Sequence, residues 1–288
     1  MKLRQRRGAI TLGTIKIPFG LPGQLDVVFE IEKGHTPGSN APNTARFQVR
    51  NLNADHRKAL VAAGTPKAPG AKAQGVRVLF EAGYEEHISR LFEGDLRIIY
   101  VEHAPPDIIL HVESGDGDVA IATARINRSW APGTTVETVI RDVATSLGIG
   151  LGNVESKIKS IALDGGGTIF TQGTVASGSA LKELNRLTRS CGLSWSIQDG
   201  ALQMLGTGDA LGSTAVVVSA KTGMVGSPTI DQKGIVTVKM LLTPDVFPGR
   251  KLKIDSQELS GFFRVEKAKY SGDTAGDDWY IDCDCRRL

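Results

Sequence analysis

The most suggestive chemical groups in the sequence are two aspartates near its end. Asp282 and Asp284 are two residues apart in the segment DWYIDCDC, which alternates polar and apolar residues. Both side chains would therefore lie on the same face of an extended strand. Two such carboxylates could hydrolyse a glycosidic bond or bind a cation. The polar face of an amphipathic strand has the same pattern, and the alternation alone favours that interpretation.

The cysteines follow the same alternation. Cys283 and Cys285 share the opposite face of this segment with Trp279 and Ile281, so we expect both thiols in a core. A disulfide between them is geometrically poor, and a metal or redox role would need further ligands. With Cys191 the chain has three cysteines, which is too few for a disulfide framework and typical of a reducing compartment.

The histidines show no metal-binding spacing such as H-E-x-x-H. They are His35, His56, His87, His103 and His111. His103 and His111 would approach each other if their strands pair, but two imidazoles are too few for a metal centre. We therefore expect exposed or half-buried histidines.

Two short motif matches lack the partners that would make them functional. Gly165-Gly166-Gly167 is followed by no Lys-Ser or Lys-Thr pair, so it predicts a turn and not a phosphate loop. Ser156 and Lys159 match one element of a penicillin-binding nucleophile motif, whose S-D-N and K-T-G elements the sequence lacks. The sequence thus predicts no catalytic, cofactor-binding or metal-binding residue, no cofactor and no enzymatic activity.

Charge is nearly balanced along the chain. There are 34 Lys and Arg residues and 31 Asp and Glu residues, and a net charge of +3 does not predict nucleic-acid binding. The basic start of the chain could contact phosphate or an acidic partner, and a disordered, solubilising terminus fits as well. Its basic residues are Lys2, Arg4, Arg6 and Arg7.

Length and composition narrow the class of protein. The 288 residues suffice for two domains or three small ones. The 34 glycines and 6% aromatic residues favour short strands joined by turns over a helical bundle. No apolar run reaches the length of a membrane span, and the basic start lacks the apolar core of a secretory signal.

The elements that would position these residues change along the chain. Strands dominate the first third, with a helix over 54–63 that Asn53 caps and Gly64 ends. Loops are predicted at 34–43 and 64–75. Turns are predicted at Glu85-Glu86 and Asp277-Asp278.

The middle third mixes helices and strands. Thr134 and Glu137 form a capping box that predicts a helix as far as Gly148. A second helix is predicted over 180–191, and a type I′ turn at Asp199-Gly200 joins the strands LSWSI and ALQML. The apolar stripe of that second helix would be Leu181, Leu184, Leu187 and Cys191. From about residue 212 only strands are predicted, so the fold is mainly β with an α/β middle, and the two β-rich ends suggest two barrels or sandwiches.

Several short segments follow one another along the chain in a recognisable order and spacing. The segment 29–53, FEIEKGHTPGSNAPNTARFQVRNLN, contains a P-N-T-A turn and an N-L-N helix start. The pieces A-G-Y, L-F-E-G and D-G follow within 76–117, and W-A-P-G-T-T and L-K-E-L-N-R-L lie within 118–210. In this order and spacing they resemble the phage tail baseplate hub proteins, whose opening is similar to segment 29–53. The tail from TGMVGSPT to FFRVEKAKYSGD is similar to that family's final barrel.

This resemblance implies two tube-like β-barrel domains, at 1–117 and 211–288, which flank a small mixed α/β domain at 118–210. Three copies would form a ring that connects a sixfold tail tube to a threefold spike or tip and lets DNA pass. The expected partners are two further copies, the tail tube protein, the spike or tip protein and other baseplate proteins. The expected location is the baseplate of the virion, after assembly in the host cytoplasm and without a membrane anchor. The compact length favours a contractile tail, and the predicted loops would reach neighbouring subunits.

Two other functions remain open at this point. A tail-associated lysin would carry a wall-degrading domain, for which the hub-like segments leave little room. A carbohydrate-binding module that adsorbs to the host surface would expose aromatic residues, whereas Trp130, Trp195 and Trp279 lie in or beside predicted elements and are expected in the core.

Overall fold

The structure is a computed structural model that describes residues 5–35, 43–64, 76–117, 121, 123–159, 161–163 and 165–288. Strands predominate, which confirms a mainly β fold with an α/β middle. The chain divides into two compact units. The first unit is made of Met1–Gly34, Asn43–Asp116 and Gly212–Leu288, and the second of His35–Pro42 and Gly117–Leu211.

In its described residues, the first unit contains one helix and one large sheet. The helix is α1 (Ala54–Gly64). The strands before the second unit are β1 (Arg6–Leu12), β2 (Ile15–Phe19), β3 (Val27–Gly34), β4 (Thr44–Arg50), β5 (Arg77–Tyr84), β6 (His87–Ala104) and β7 (Asp107–Gly115). The strands after it are β14 (Leu211–Ser219), β15 (Met224–Ile230), β16 (Ile235–Leu241), β17 (Arg250–Asp255), β18 (Ser260–Asp273) and β19 (Trp279–Arg287).

All thirteen of these strands belong to a single sheet. Their order is β15-β16-β19-β18-β3-β4-β7-β6-β5-β1-β2, and β17 pairs with both β18 and β14. Neighbours along this path are antiparallel, as expected for a sheet built from hairpins.

Strands from the two ends of the chain meet in the middle of this sheet. Ile31 of β3 is opposite Tyr270 of β18, and the pairing runs along both strands. The β-rich ends, which the sequence places in separate domains, therefore share one sheet and one core cluster. Their division into two tube-like barrels stays a prediction.

Aromatic rings from both ends of the chain fill the core of the first unit. The ring of Phe80 lies 5.5 Å from that of Phe19, 4.6 Å from that of Phe29 and 4.9 Å from that of Phe47, between centroids. Trp279, at the start of β19, meets Phe29 edge to face at 5.2 Å. Each such ring removes a large apolar area from water, so this cluster fixes β19 against the N-terminal strands.

Among its described residues, the second unit has short paired strands and three helices whose bounds are defined. The strands are β8 (Arg125–Trp130), β9 (Thr134–Thr135), β10 (Ile169–Phe170), β11 (Thr174–Ser179), β12 (Leu193–Gln198) and β13 (Ala201–Gly206). The helices are α2 (Val136–Thr145), α3 (Val154–Ile158) and α4 (Ala180–Arg189). The pairs are β8 with β11, β9 with β10 and β12 with β13. The core of the second unit is a cluster of its own, to which α2 and α4 contribute their apolar stripes.

Several local predictions are confirmed. The Asn53 side chain accepts a hydrogen bond from the backbone of His56 at 2.8 Å, as an N-cap of α1 should. Asp199 and Gly200 both have positive φ, 54° and 76°, as a type I′ turn requires.

Two predictions at helix ends are wrong. The N-cap of α2 is Thr135, whose hydroxyl accepts from the backbone of Thr138 at 3.2 Å. The expected cap, Thr134, donates its hydroxyl to the carbonyl of Ala131 instead. Pairing of β9 with β10 keeps the chain extended through Thr135, which delays the helix by one residue. Helix α4 also ends at Arg189, so half-buried Cys191 lies in the following turn.

Candidate assembly interface

The main path of the large sheet ends in two outer strands, each with one strand partner in the described part of the chain, and β14, off this path, pairs there with β17 alone. β2 pairs with β1, and β15 pairs with β16. Each outer strand contains a proline, Pro18 or Pro228, which has no amide hydrogen to donate to a further strand. β15 also shifts register between Val225 and Thr229. Prolines and bulges limit uncontrolled pairing at exposed edges, so we expect lateral contacts here to be selective.

Exposed apolar side chains mark surface that an assembly could bury. Val225 and Ile230 of β15 are 39% and 59% exposed. Ile98 and Tyr100 lie two residues apart on β6 and are about half exposed. The other exposed large apolar residues in the described part of the chain are Leu21, Ile88, Ile169, Val175, Val217, Phe262 and Leu288. The β15 edge and the Ile98–Tyr100 face are the places where such residues lie together on one strand.

Tyr100 and His111 form a stacked pair across β6 and β7. Their ring centroids are 4.6 Å apart and their planes differ by 6°. His111 Nε2 lies 2.6 Å from Oε2 of Glu102. The pairing does not bring the two candidate histidines together, because His103 is opposite Ile108 while His111 is opposite Tyr100. Within the described ranges, no three His, Cys, Asp or Glu residues are grouped so as to hold a metal.

His35 is a correction to the expectation of exposed or half-buried histidines, because it is 1% exposed. Its Nδ1 lies 2.7 Å from Oγ of Ser196 and its Nε2 lies 2.9 Å from Oγ of Ser194. The Ser194 hydroxyl donates to the carbonyl of Leu205 at 3.1 Å, so it accepts from His35 Nε2. A serine beside a histidine can act as a nucleophile, but both serines here lie inside the second unit as parts of a buried polar network.

One face of the large sheet carries charged side chains on successive strands, and we call it the charged face. Lys269 Nζ lies 2.8 Å from Oε2 of Glu30, and Lys267 Nζ lies 3.1 Å from Oε2 of Glu32. The pairs join β18 to β3. The neighbouring strands β4 and β7 are joined by Arg46 and Glu113, at 3.4 Å. The face is formed by Glu30, Glu32, Arg46, Glu113, Lys239, Lys267, Lys269, Asp282 and Asp284.

The charged face is close to neutral. The nine residues that define it are five carboxylates and four cations. Arg50 and Arg286 continue the same alternation on β4 and β19. The hydrogen bond that Lys269 donates to the Glu30 carboxylate raises the pKa of this lysine, so it stays charged at physiological pH. Charges of opposite sign are paired across neighbouring strands of this face.

The last strand confirms the polar-face interpretation of its aspartates. Asp284 accepts a hydrogen bond from the Thr237 hydroxyl at 2.9 Å, and Asp282 is opposite both Lys239 and Lys269 in the register. The two carboxylates are thus ordinary members of the charged face.

The thiols on the other side of the strand are fully buried, as predicted. Burial raises the pKa of Cys283 well above its usual value and raises that of Cys285 to about 12. Both therefore remain protonated in the core at physiological pH.

The described basic residues at the start of the chain, Arg6 and Arg7, make structural contacts. Arg6 donates to the carbonyls of Asp273 at 2.9 Å and Gly276 at 2.6 Å, in the turn before β19. Arg7 donates to the carbonyl of Gly20 and forms an ion pair with Glu85 at 3.6 Å. These contacts, which sequence spacing could not reveal, leave neither arginine as a free anion site. Lys2 and Arg4 lie outside the described residues.

The remaining candidates have structural contacts. The Ser156 hydroxyl donates to the carbonyl of Asn153 at 2.8 Å, within the first turn of α3. Gly165 and Gly166 have positive φ in a turn, as predicted. The three tryptophans are buried, which confirms their expected place in the core. Residues 36–42 and 65–75, which make up most of the two predicted interface loops, lie outside the described residues. No helix in the described part of the chain is long and apolar enough to cross a membrane.

Comparison with known proteins gives one family match along most of the chain. The family model described as baseplate hub gp41 matches residues 21–285. No curated protein sequence matches the chain.

Solved structures share the fold at low sequence identity. The 43 kDa tail protein of prophage MuSo2 from Shewanella oneidensis aligns with a TM-score of 0.63 and 10% identity, over 98% of this chain and 97% of that one. A tail protein from Neisseria meningitidis aligns with a TM-score of 0.62 and 10% identity, over 98% and 96%. An E. coli protein described as a component of the type VI secretion system, with structural similarity to bacteriophage tail proteins, aligns with a TM-score of 0.53 and 9% identity, over 97% and 76%.

Proposed function

The chain belongs to the baseplate hub gp41 family, so it is a structural protein of the phage tail baseplate, and on that premise we propose that three copies form a closed ring. The ring connects the sixfold tail tube to the threefold spike or tip. DNA passes through its open centre during ejection. The observation that best supports this proposal is the single large sheet with two differently built outer strands.

Two different edges suit a ring. A ring forms when one surface of each copy binds a different surface of the next copy and the repeated rotation closes on the first copy. The β15 edge offers Val225 and Ile230, whereas the β2 edge is followed by exposed Leu21. We propose that the β15 edge of one copy packs against the β2 side of the next. Such closure covers the β2 and β15 edges, since open edges promote aggregation.

The charged face suits the lining of a passage for DNA. A strongly positive lining would bind the phosphate backbone and slow its passage, and a strongly negative one would oppose its entry. The alternation between Glu30, Lys269 and Glu32 avoids both effects. We propose that this face lines the central channel.

Three copies can match sixfold symmetry if each supplies two similar modules. We propose that residues 1–117 and 211–288 are these two tube-like modules and that residues 118–210 form the smaller domain between them. In this arrangement the two modules lie side by side in one sheet, where β3 and β18 join them in register.

The partners proposed for the ring are the tail tube protein, the spike or tip protein and other baseplate proteins of a contractile tail. Assembly takes place in the host cytoplasm, and the protein then resides in the virion. We propose no catalytic role, because the candidate residues for chemistry, such as Asp282, Asp284 and His35, make structural contacts. Release of dye from labelled peptidoglycan by the purified protein would contradict this and favour a lysin.

Solution mass tests the ring directly. Three copies of the 30.7 kDa chain have a mass of about 92 kDa, which light scattering or mass photometry separates from a monomer. The proposal predicts the trimer mass at high concentration or in the presence of purified tail tube. A chain that stays monomeric under both conditions contradicts it.

A further inference from the structure

Positive charge gathers on one face of the neighbouring strands β17, β18 and β19. Lys251 of β17 is opposite Arg264 of β18, and Arg264 is opposite Arg286 of β19. Opposite residues of paired strands lie on the same face, so these three cations form a row across three strands. Lys253, two residues beyond Lys251, lies on this face as well and is exposed. We call these four residues the cationic patch.

A buried carboxylate lies within the cationic patch. Glu266 Oε1 accepts hydrogen bonds from Nη2 and Nε of Arg264, at 2.6 and 2.9 Å. Nε of Arg286 lies 3.8 Å from the same oxygen. Arg264 and Glu266 are both buried, whereas the side chain of Arg286 is 60% exposed. Glu266 therefore balances the charge of buried Arg264, and the guanidinium of Arg286 still faces solvent.

The two lysines of the cationic patch have no carboxylate partner among the described residues. No ion pair within 4.0 Å joins Lys251 or Lys253 to an Asp or Glu residue there. Asp255 lies two residues beyond Lys253 on the same face, and Glu258 lies farther along, in the turn between β17 and β18. The four cations thus face two carboxylates on these strands, Glu266 and Asp255, and a net charge of +2 remains.

An exposed aromatic ring lies among these cations. Phe262 of β18 is opposite Lys253 and is 46% exposed. Leu288, whose amide donates to the carbonyl of Phe262 at 3.0 Å, is 42% exposed. Apolar surface of this kind, surrounded by cations, is complementary to a partner that supplies apolar and acidic side chains together.

The position of the ring favours a protein partner over a nucleic acid. Nucleic-acid bases stack on the faces of aromatic side chains. Nζ of Lys251 lies 4.5 Å from the centroid of the Phe262 ring, so a lysine already occupies one face of it. The rest of the ring and the Leu288 side chain can contact an apolar side chain of a peptide.

We propose that the cationic patch is a docking site for an acidic segment of another protein, in which carboxylates flank an apolar side chain. The apolar side chain packs against Phe262 and Leu288. The carboxylates reach Lys253 and Arg286, on the strands at either side of Phe262. This inference goes beyond the proposed ring and does not depend on its stoichiometry.

A labelled model peptide tests the docking site on the full-length protein. The probe is an amidated hexapeptide of alternating Glu and Leu with fluorescein at its N-terminus, and fluorescence anisotropy follows its binding. Lys253→Gln/Arg286→Gln should weaken binding about three- to tenfold, because it removes two exposed ion pairs with the probe. Phe262→Gln should weaken binding at least about threefold, because it removes the apolar contact.

Matched controls separate the cationic patch from general effects of charge and apolar surface. Lys221→Gln/Lys233→Gln removes two exposed lysines from other turns of the first unit, and Val175→Gln replaces an exposed apolar residue of the second unit. Both controls should leave the affinity unchanged, and circular dichroism checks that every variant is folded. Equal weakening by the controls, or no weakening by the patch variants, overturns the proposal.

Probes of other composition test the chemistry of the partner. Hexapeptides of alternating Glu and Ser, which lack apolar side chains, and of alternating Lys and Leu, which have the opposite charge, should both bind more weakly than the Glu and Leu probe. Equal or tighter binding of either one overturns the proposal.

A further arm distinguishes a protein segment from a nucleic acid. Short fluorescein-labelled DNA, as a duplex and as a single strand, is titrated at the same salt concentration as the peptide. If either DNA binds more tightly than the peptide and loses affinity with Lys253→Gln/Arg286→Gln, the cationic patch is a phosphate site and the proposed acidic segment is wrong. Weaker binding of both DNAs, unchanged by this substitution, supports the proposal.

Discussion

The guanidinium carbon of Arg6 lies 5.4 Å from the centroid of the Trp279 ring, although the two residues come from opposite ends of the chain. The same guanidinium donates to the carbonyls of Asp273, Gly276 and Asp277, at 2.9, 2.6 and 2.9 Å. A cation over an indole and a set of charge-assisted hydrogen bonds thus fasten β1 to the turn before β19. This contact, together with the pairing of β3 and β18, makes the two β-rich ends one unit.

Loss of this contact should destabilise the fold. Arg6→Ala removes the hydrogen bonds and the cation–π contact, so the free energy of unfolding should fall by about 2–3 kcal/mol. Arg6→Lys should recover only part of the lost free energy of unfolding, because an ammonium group cannot reproduce the planar set of donors of a guanidinium group. Urea denaturation measures both. Arg90, a half-exposed arginine paired with Glu93, gives the control Arg90→Ala, which should cost less than about 1 kcal/mol. If Arg6→Ala lowers the free energy of unfolding no more than Arg90→Ala does, the contact of Arg6 does not hold β1 against the turn before β19.

The buried thiols should make stability fall at alkaline pH. The pKa of Cys285 is raised to about 12 in the fold, and that of Cys283 is also raised. The pKa of a cysteine in the unfolded chain is about 8.5. Above that pH the native state binds more protons than the unfolded state, so stability falls as pH rises. The thiols' contribution to the free energy of unfolding is complete below the pKa of the unfolded cysteines. It is lost as the pH rises from that value to the pKa of the thiols in the folded protein.

Urea denaturation between pH 8 and pH 11 checks this dependence. The variant Cys283→Ala/Cys285→Ala should lose much of the alkaline decline, although it is less stable at every pH because it leaves a cavity. Cys191→Ala removes a half-buried thiol and should keep the wild-type slope. An unchanged slope in the double variant would show that the two thiols are not protonated in the core.

The β15 edge should control assembly. Ile230 is 59% exposed there, and Ile230→Glu would bury an unpaired carboxylate if this edge packs against a neighbour. We expect the fraction of trimer to fall at least about tenfold, with the fold of the monomer unchanged. Val175→Glu places the same charge on a similarly exposed residue of the second unit and should leave the mass distribution as it is. Trimers formed equally well by Ile230→Glu would remove this edge from the interface.

The charged face should control the passage of DNA. Thr44, Gln48 and Ser271 lie on this face between its charged residues, so their replacement by lysine adds positive charge without removing an ion pair. Virions with this triple substitution should release DNA more slowly, because each lysine adds phosphate contacts. Three lysines on the exposed strands of the second unit, at Asn127, Ser129 and Ser177, are the control. If both triple substitutions slow the release of DNA equally, or if neither slows it, this face does not line the channel.

Local structure in this chain follows from local sequence. The Asn53 cap and the Asp199-Gly200 turn depend on residues a few positions apart, and both are confirmed. The alternation in DWYIDCDC likewise placed Cys283 and Cys285 in the core and Asp282 and Asp284 on the polar face.

Distant pairing could not be predicted in the same way. The contact of Ile31 with Tyr270 joins strands from opposite ends of the chain, and its register depends on packing of whole faces. The misplaced cap at Thr134 has the same origin, since β10 holds the preceding residues extended. The candidate interface has no compact motif, because a wide surface such as the charged face combines residues from many strands.

Electron-microscope class averages of the purified protein, alone and with purified tail tube, test the central claim most directly. The account predicts threefold rings with an open centre, lined by the charged face and joined at the β15 edge. Rings of another symmetry, or single copies that persist even when the tail tube is present, would contradict it.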